Sequence, residues 1–268
     1  MSTETWPSDA LDINRPNGAR VHDALLSGSH NFGADRDLAH RLAAAVPGIA
    51  ADIFAERAFL HRAVGFCIDA GIRQFLDLGC GIPSVGNAYR VIQHTAPDAR
   101  VVCVDVDLAA VALTRNMVKG NDRAGAIQAD LRHPSHLLHH PDLTAVLRLD
   151  QPVAVLLISV LHLLGDAEDP WSIVASLRDR LAAGSLLVIS HLTGENRPAD
   201  MAMLERVTHG AGLPMTVRTR GDVQRLVDGL ELVDPGLVWA PHWRPNPNDV
   251  DHPAPAPSNV LVAVGRQP

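Results

Sequence analysis

Apolar residues recur along this chain with two different periods. Between residues 20 and 71 the spacing is helical. Val21, Ala24 and Leu25 predict one short helix, and Leu38, Leu42 and Val46 a second. Pro47-Gly48 breaks that run. A third helix is predicted over 49–70, with Phe54, Ala58, Leu60 and Val64 on its apolar side. From residue 72 onward, short apolar runs alternate with helical segments. Strands are predicted over 74–78, 100–104, 126–128, 153–159 and 185–190, and helices over 85–94, 108–120 and 171–181, the last closed by Gly184. The rhythm then breaks: 222–227 reads as helix, 230–233 and 237–239 as extended chain, and 260–264 as a final strand. Residues 1–19, with Pro7 and Pro16, and the Pro-rich stretch 241–257 are expected to be irregular.

Strands that are apolar throughout, separated by helices, are the mark of a parallel sheet covered on both faces. The fold expected is therefore α/β, a doubly wound and mostly parallel sheet. Residues 72–268 would form the core, and residues 1–71 a helical cap or lid at its N-terminal side.

Composition narrows the function. The chain has 268 residues, 47% hydrophobic and 4% aromatic, with a net charge of −7. An acidic chain poor in aromatic residues is a weak match for phosphate backbones, stacked bases or anionic membranes. A small-molecule partner fits better, with no nucleic acid and no membrane. Cys67, Cys80 and Cys103 are too scattered for a disulfide framework or a zinc site. The first twenty residues lack the apolar core of a signal peptide. The apolar run 153–164 is too short to span a bilayer and is interrupted by His162. A cytoplasmic location is the expectation, and the composition leaves the oligomeric state open.

The most informative stretch is Phe75-Leu76-Asp77-Leu78-Gly79-Cys80-Gly81-Ile82-Pro83, a strand running into a glycine turn before a helix. Glycines there let a ligand approach the backbone, and a helix N-terminus offers unpaired N–H groups. A dinucleotide dehydrogenase would want a third glycine at position 84, where this chain has Ser84, and the acid at Asp77 would repel a pyrophosphate. Asp77 suits a cationic amine instead. At the end of the next strand, in Val104-Asp105-Val106-Asp107, Asp105 is placed to grip vicinal ribose hydroxyls roughly twenty residues beyond the glycines. Asp107 reads as the cap of the following helix. Asp130, before Leu131 and just past the third strand, could accept an exocyclic amine, or could simply cap a turn. All three acids fall at the carboxyl ends of successive strands, where open α/β sheets bind ligands.

With Asp77-x-Gly79-x-Gly81, Asp105 and Asp130 in this order, the chain resembles the class I S-adenosylmethionine-dependent methyltransferases. More narrowly, it is similar to an actinobacterial methyltransferase family formerly of unknown function. That likeness rests on Ala19-Arg20-Val21-His22-Asp23-Ala24-Leu25-Leu26-Ser27-Gly28-Ser29-His30-Asn31-Phe32-Gly33-Ala34-Asp35-Arg36, on Ile72-Arg73-Gln74-Phe75-Leu76-Asp77, on Gly229-Leu230-Glu231-Leu232-Val233-Asp234-Pro235-Gly236, and on Trp243-Arg244-Pro245. The resemblance implies a seven-stranded sheet with an antiparallel last strand and S-adenosyl-L-methionine as cofactor. It implies that the glycine turn holds the methionine part, Asp105 with Val106 the ribose side, and Asp130 with Leu131 the adenine, while Ser159 follows the fourth strand at the same edge. Two departures stand out: His22-Asp23-Ala24 where Tyr-Asp-Tyr is expected, and Ser27-Gly28-Ser29 where Gly-Gly-Lys is expected.

Methyl transfer to a hydroxyl gains from a base, and His is the usual one. His162 and His191 follow the fourth and fifth strands and are the candidate catalytic residues. Either could equally be a packed, hydrogen-bonded loop residue. Arg20, Asp23, Asn31, Asp35 and Arg36 form a polar motif with two readings, a capping and ion-pair network or a lid in which Arg20 or Asn31 touches cofactor or substrate. Trp239, His242, Trp243 and Arg244 could line a substrate pocket or pack as a loop. His133, His136, His139 and His140 invite a metal reading, but Pro134 at a helix start and Pro141 at the segment's end favour a solvated helix or loop. The activity expected is methyl transfer to oxygen or nitrogen of a small molecule, and the resemblance implies a place in specialised metabolism. The alternatives are a cofactor-binding module without transfer activity and, less favoured, an NAD(P)-dependent oxidoreductase.

Overall fold

The structure is a computed structural model that describes residues 12–84, 86–246 and 258–268. Three helices open the chain: α1 (Gly18–Leu25), α2 (Gly33–Ala45) and α3 (Ile49–Asp69). Alternating elements follow: β1 (Gln74–Leu78), α4 (Ala88–Thr95), β2 (Arg100–Asp105), α5 (Leu108–Val118), β3 (Ala124–Gln128), α6 (Pro134–Leu138), α7 (Pro141–Val146), β4 (Ala154–Leu157), α8 (Pro170–Arg178) and β5 (Leu186–Leu192). The chain closes with α9 (Pro198–Gly210), α10 (Arg220–Arg225), β6 (Glu231–Leu232), β7 (Val238–Trp239) and β8 (Val260–Arg266).

The sheet runs β3-β2-β1-β4-β5-β8-β6, with β7 pairing β8 off this path. Strands β1 to β5 are parallel, and β8 lies antiparallel to β5 from Leu186 opposite Arg266 to Leu192 opposite Val260. The fold is the expected mixed sheet, with the short β7 making eight strands instead of seven. After β3 the chain returns to pair β4 with β1, so the winding reverses between these two strands. That reversal leaves a crevice at their carboxyl ends which no crossover helix can cover.

Most elements start where local chemistry allows. Asn87 caps α4 by accepting from the Arg90 N–H, and Asp107 caps α5 by accepting from the Ala110 N–H at 2.9 Å, the role read from its sequence position. Position 85, where that fourth helix was expected to begin, lies outside the described residues, as do 1–11 and 247–257 of the two irregular stretches. Pro141 does not end the histidine segment; it opens α7 at its first turn, where the missing N–H costs nothing. Helix α9 was not anticipated at all. Its buried residues Met201, Leu204 and Thr208 keep helical spacing, but Thr208 hides the third position from an apolar count.

Each face of the sheet has its own core. On one, α6, α7, α8 and α10 pack through Leu137, Leu143, Ile173 and Val223 against β1, β2, β4 and β5. On the other, α3 and α4 pack through Phe59, Val64 and Ile92, with Trp243 edge-on to Phe59 at 5.3 Å. A third cluster joins α1 and α2 to α9 through Val21, Leu38, Leu42, Met201 and Leu204. Thus α3 shares a core with the sheet, and the cap over it is built by α1, α2 and α9 together. Trp243 is fully buried in the second core instead of lining a pocket.

The buried face of α3 differs from the expected one. Phe54 is 49% exposed, and the buried stripe runs Asp52, Ala55, Glu56, Phe59, Leu60, Ala63, Val64 and Cys67. Two acids occupy positions an apolar count leaves blank. Among the described residues, no single helix is long and apolar enough to cross a membrane. Because Phe59 is completely enclosed, Phe59→Ala should cost about 3–5 kcal/mol in chemical denaturation. Phe54→Ala, on the open side of the same helix, should cost clearly less.

Candidate active site

The carboxyl edge of the sheet and the helical cap enclose a cavity of about 390 Å³. Gly79 and Gly81 form its floor, both with left-handed backbone, φ 74° and 65°. A Cβ on Gly79 would sit 2.5 Å from Val160 Cγ2, so no larger residue fits. The Gly79 and Cys80 N–H groups both donate to the Val104 carbonyl, at 2.8 and 3.0 Å, which pins the turn to β2. The Gly81 N–H donates to Asp105 Oδ2 at 2.8 Å, and the Asp107 N–H to Asp105 Oδ1 at 2.9 Å. Asp105 is thereby oriented, with lone pairs left to face the void.

Asp77 is 7% exposed, lines the cavity and makes no hydrogen bond through its carboxylate among the described residues. Burial pushes its pKa up to about 7, with Arg57 opposing and Asp105 adding to the rise. Ser159, just past β4, has a left-handed backbone at φ 54°, a strained state held by its N–H donating to Ser190 Oγ at 2.9 Å. Val106 is 55% exposed at the rim, an apolar side chain left open beside Asp105. Asp130 and Leu131 also line the void, although Arg132 grips the Asp130 carboxylate with its Nε at 2.8 Å and its Nη2 at 2.6 Å. The structure thus gathers Asp77, Gly79, Gly81, Asp105, Val106, Asp130, Leu131, Ser159 and His162 around one space.

Three expected residues are elsewhere. Arg20 is 3% exposed, pairs with Asp35 at 3.1 Å and Asp107 at 3.8 Å, and donates to the Asp12 and Arg15 carbonyls. Asp35 also accepts from the Asn17 and Phe32 N–H groups, so this network welds α1 to α2. Asn31 donates to Asp23 Oδ2 at 2.8 Å and to the Gly28 carbonyl at 2.9 Å, bracing the loop between them. Neither Arg20 nor Asn31 lines the cavity. His191 is fully buried behind the wall: Arg218 donates to its Nε2 at 2.8 Å, and its Nδ1 bonds the Leu192 carbonyl. Its free lone pair is already taken, so it is not placed as a base.

Four polar groups in the wall carry weight that sequence reasoning does not give them. Three of them, Asp52, Glu56 and Arg57, lie on the inner face of α3. Glu56 accepts from the Ser159 and Ser190 hydroxyls, and burial raises its pKa in spite of those bonds. Burial likewise raises Asp52, which binds Arg197 and accepts from the Asn259 N–H at 3.0 Å. Burial lowers the pKa of Arg57, against the pull of Glu56 and Asp77. The fourth group, His22, stands where a tyrosine was expected. Apolar spacing could not reveal these residues; a row of acids at helical spacing on a predicted core helix was the available signal.

His22 and His162 are both held neutral, their pKa lowered to about 3 chiefly by burial. Among the described residues, His162 Nδ1 is buried with no hydrogen-bond partner, so a proton there would have no acceptor, and neither imidazole is paired with a carboxylate. The four clustered histidines lie outside the cavity: His139 Nδ1 bonds the Ser135 carbonyl at 2.7 Å, and His140 Nδ1 accepts from the Asp142 N–H that opens α7.

A parallel sheet with an antiparallel last strand, a glycine turn after β1 and acids ending β1 and β2 defines the Rossmann-like methyltransferase class. The chain belongs to the S-adenosyl methyltransferase family, whose model matches residues 4–268. It is similar in structure to a candidate methyltransferase from Thermobifida fusca YX, at 36% identity over 98% of this chain and 99% of that one, TM-score 0.89. It is also similar to a DUF574 family protein from Streptomyces avermitilis MA-4680, at 32% identity over 96% and 100%, TM-score 0.90. The plantazolicin methyltransferase BamL, in complex with a triazolic desmethylPZN analog and SAH, shares the fold at 13% identity over 93% and 95%, TM-score 0.54. No curated protein matches the sequence. S-adenosyl-L-methionine is the cofactor of this family, and an unpartnered buried carboxylate beside a glycine turn fits its ammonium group.

A group kept neutral by burial ties stability to acidity. The His162 pKa is lowered in the fold, so the unfolded chain takes up its proton first and the native state loses stability as pH falls below about 6.5. The stability of the wild type relative to His162→Gln should therefore fall as pH is lowered from about 7 to 4, measured by urea unfolding.

Proposed function

We propose that this chain transfers a methyl group from S-adenosyl-L-methionine to an oxygen or nitrogen of a small molecule. The observation that carries the reading is Asp77, a buried carboxylate that lines the cavity and has no hydrogen-bond partner among the described residues. On this reading Asp77 takes the ammonium of the cofactor's methionine part, and Arg57 beside it takes the carboxylate. Asp105 takes the ribose hydroxyls, Val106 offers an apolar surface to the adenine ring, and Asp130 with the Leu131 backbone meets its amine edge. Arg132 then has to share or release Asp130, and it has a second partner in Glu168 at 2.7 Å to turn to.

The cofactor supplies an activated methyl carbon. What the protein adds is placement, and bringing two reactants into line is worth up to about 7–11 kcal/mol of barrier. The cap of α1, α2 and α9 excludes water, and the glycine turn fixes the floor. Ser159 and His162 stand just beyond β4, where an acceptor would approach. His162 offers a neutral nitrogen to orient an acceptor by hydrogen bonding. With its conjugate acid near 3 it is poorly matched to remove a proton at neutral pH.

Calorimetric titration tests this reading. S-adenosylmethionine and S-adenosylhomocysteine should each bind, and NADH should not. Asp105→Ala should weaken S-adenosylhomocysteine by about tenfold or more, the worth of a hydrogen bond to a charged group. Binding of NADH alone would overturn the assignment.

A further inference from the structure

The polar groups of the cavity follow the order of the strands. Asp130 comes after β3, Asp105 ends β2 and Asp77 lies in β1, so the cofactor assigned above spans β3 to β1. The cavity continues past that span, over β4 and β5, and there its character changes. Its walls become mostly apolar, with Leu25, Leu42, Ile53, Met201, Leu204 and Leu213 from α1, α2, α3 and α9 with the turn after it, while the imidazoles of His22 and His162 also line the cavity. Asp52 is turned toward Arg197 and the Asn259 N–H, at the edge of this region. Glu56 is the acid that bridges the two strand ends, since Ser159 follows β4 and Ser190 lies in β5. Each of its oxygens accepts one serine hydroxyl, and a carboxylate oxygen has a second lone pair to offer.

Such a space favours one kind of occupant. Apolar walls reward an apolar body, and an ionic group brought here would lose its hydration without a free counter-charge. An anion would in addition meet Glu56, Asp52 and Asp77. A cation would have to draw on Glu56, whose oxygens already serve two serines. A neutral hydroxyl or N–H is what the lone pair left on each Glu56 oxygen can accept without bringing in an ion.

We propose that the acceptor is an uncharged, mainly apolar small molecule that presents a hydroxyl or N–H to Glu56 at the cavity end over β4 and β5. This rests on the cofactor placement above, because that placement leaves this end free. Glu56 is a positioning group here, and Leu213 sets the apolar wall.

Indole is a suitable probe: neutral, apolar and bearing one N–H. The full chain, saturated with S-adenosylhomocysteine, is titrated by calorimetry with indole, N-methylindole, tryptamine and indoleacetate. Indole should bind about tenfold more tightly than each of the other three. Glu56→Gln should reduce the preference for indole over N-methylindole to less than about threefold. Leu213→Arg, at a half-buried position, should weaken indole about tenfold and leave S-adenosylhomocysteine affinity unchanged. Equal or tighter binding of tryptamine or indoleacetate overturns the proposal, as does unchanged indole affinity in Leu213→Arg. Separate titration with S-adenosylhomocysteine keeps the two readings apart: its failure to bind, with the indole pattern intact, overturns the cofactor placement and upholds the selectivity of this site.

Discussion

One carbonyl organises the site. Val104, at the end of β2, accepts from the N–H groups of both Gly79 and Cys80, so the chain leaving β1 must turn sharply at the sheet's edge. That turn requires positive φ at Gly79 and leaves no volume for a Cβ beside Val160. It also aims the Gly81 N–H at Asp105, which fixes the carboxylate of the neighbouring strand. The turn, the ends of two strands and the loop after β4 are therefore one unit. Because the sheet's winding reverses at this point, nothing but a ligand and a cap can cover it.

The cap is held by ion pairs of low exposure as well as by its apolar cluster. Arg20 and Asp35 tie α1 to α2, and Asp52 and Arg197 tie α3 to α9, all with little exposure to water. Such buried pairs add little net stability, since desolvation offsets attraction, but breaking one leaves an uncompensated charge. They specify how the helices sit. The same burial acts on the groups inside: it raises the carboxyls of Asp77, Glu56 and Asp105 and holds His22 and His162 neutral. The protein thus maintains a polar floor under a mostly apolar roof. That combination suits a cation with vicinal hydroxyls at one end and an uncharged partner at the other.

Much of this was legible in the residues. Alternating apolar runs and helical spacings predicted the parallel sheet and most of its strands, because a strand buried on both faces must be apolar at every position. The glycine turn and the acids Asp77, Asp105 and Asp130 were readable because local geometry demands them: a positive φ wants glycine, and strand ends present their side chains to the crevice. What failed had a common cause. Arg20, Asn31 and His191 are polar residues near the right elements, but whether such a side chain faces the cavity or is taken up by Asp35, by Asp23 and Gly28, or by Arg218 depends on folded geometry that apolar spacing does not carry. The inner face of α3 was misjudged because Asp52 and Glu56 occupy core positions, which made Phe54 look like part of the stripe.

The periodicities, the turn and the family are legible in the chain alone, because each rests on residues close together along it. Which polar residues face the cavity and which are consumed as struts is settled only in the folded protein. Whether a carboxylate keeps its lone pairs depends on what stands opposite it, and Glu56 meets Ser159 and Ser190 from more than a hundred residues away. Desolvation decides the charge of each such group in the same way. It is a property of the enclosing walls, which exist only once α1, α2, α3 and α9 have closed over the edge of the sheet.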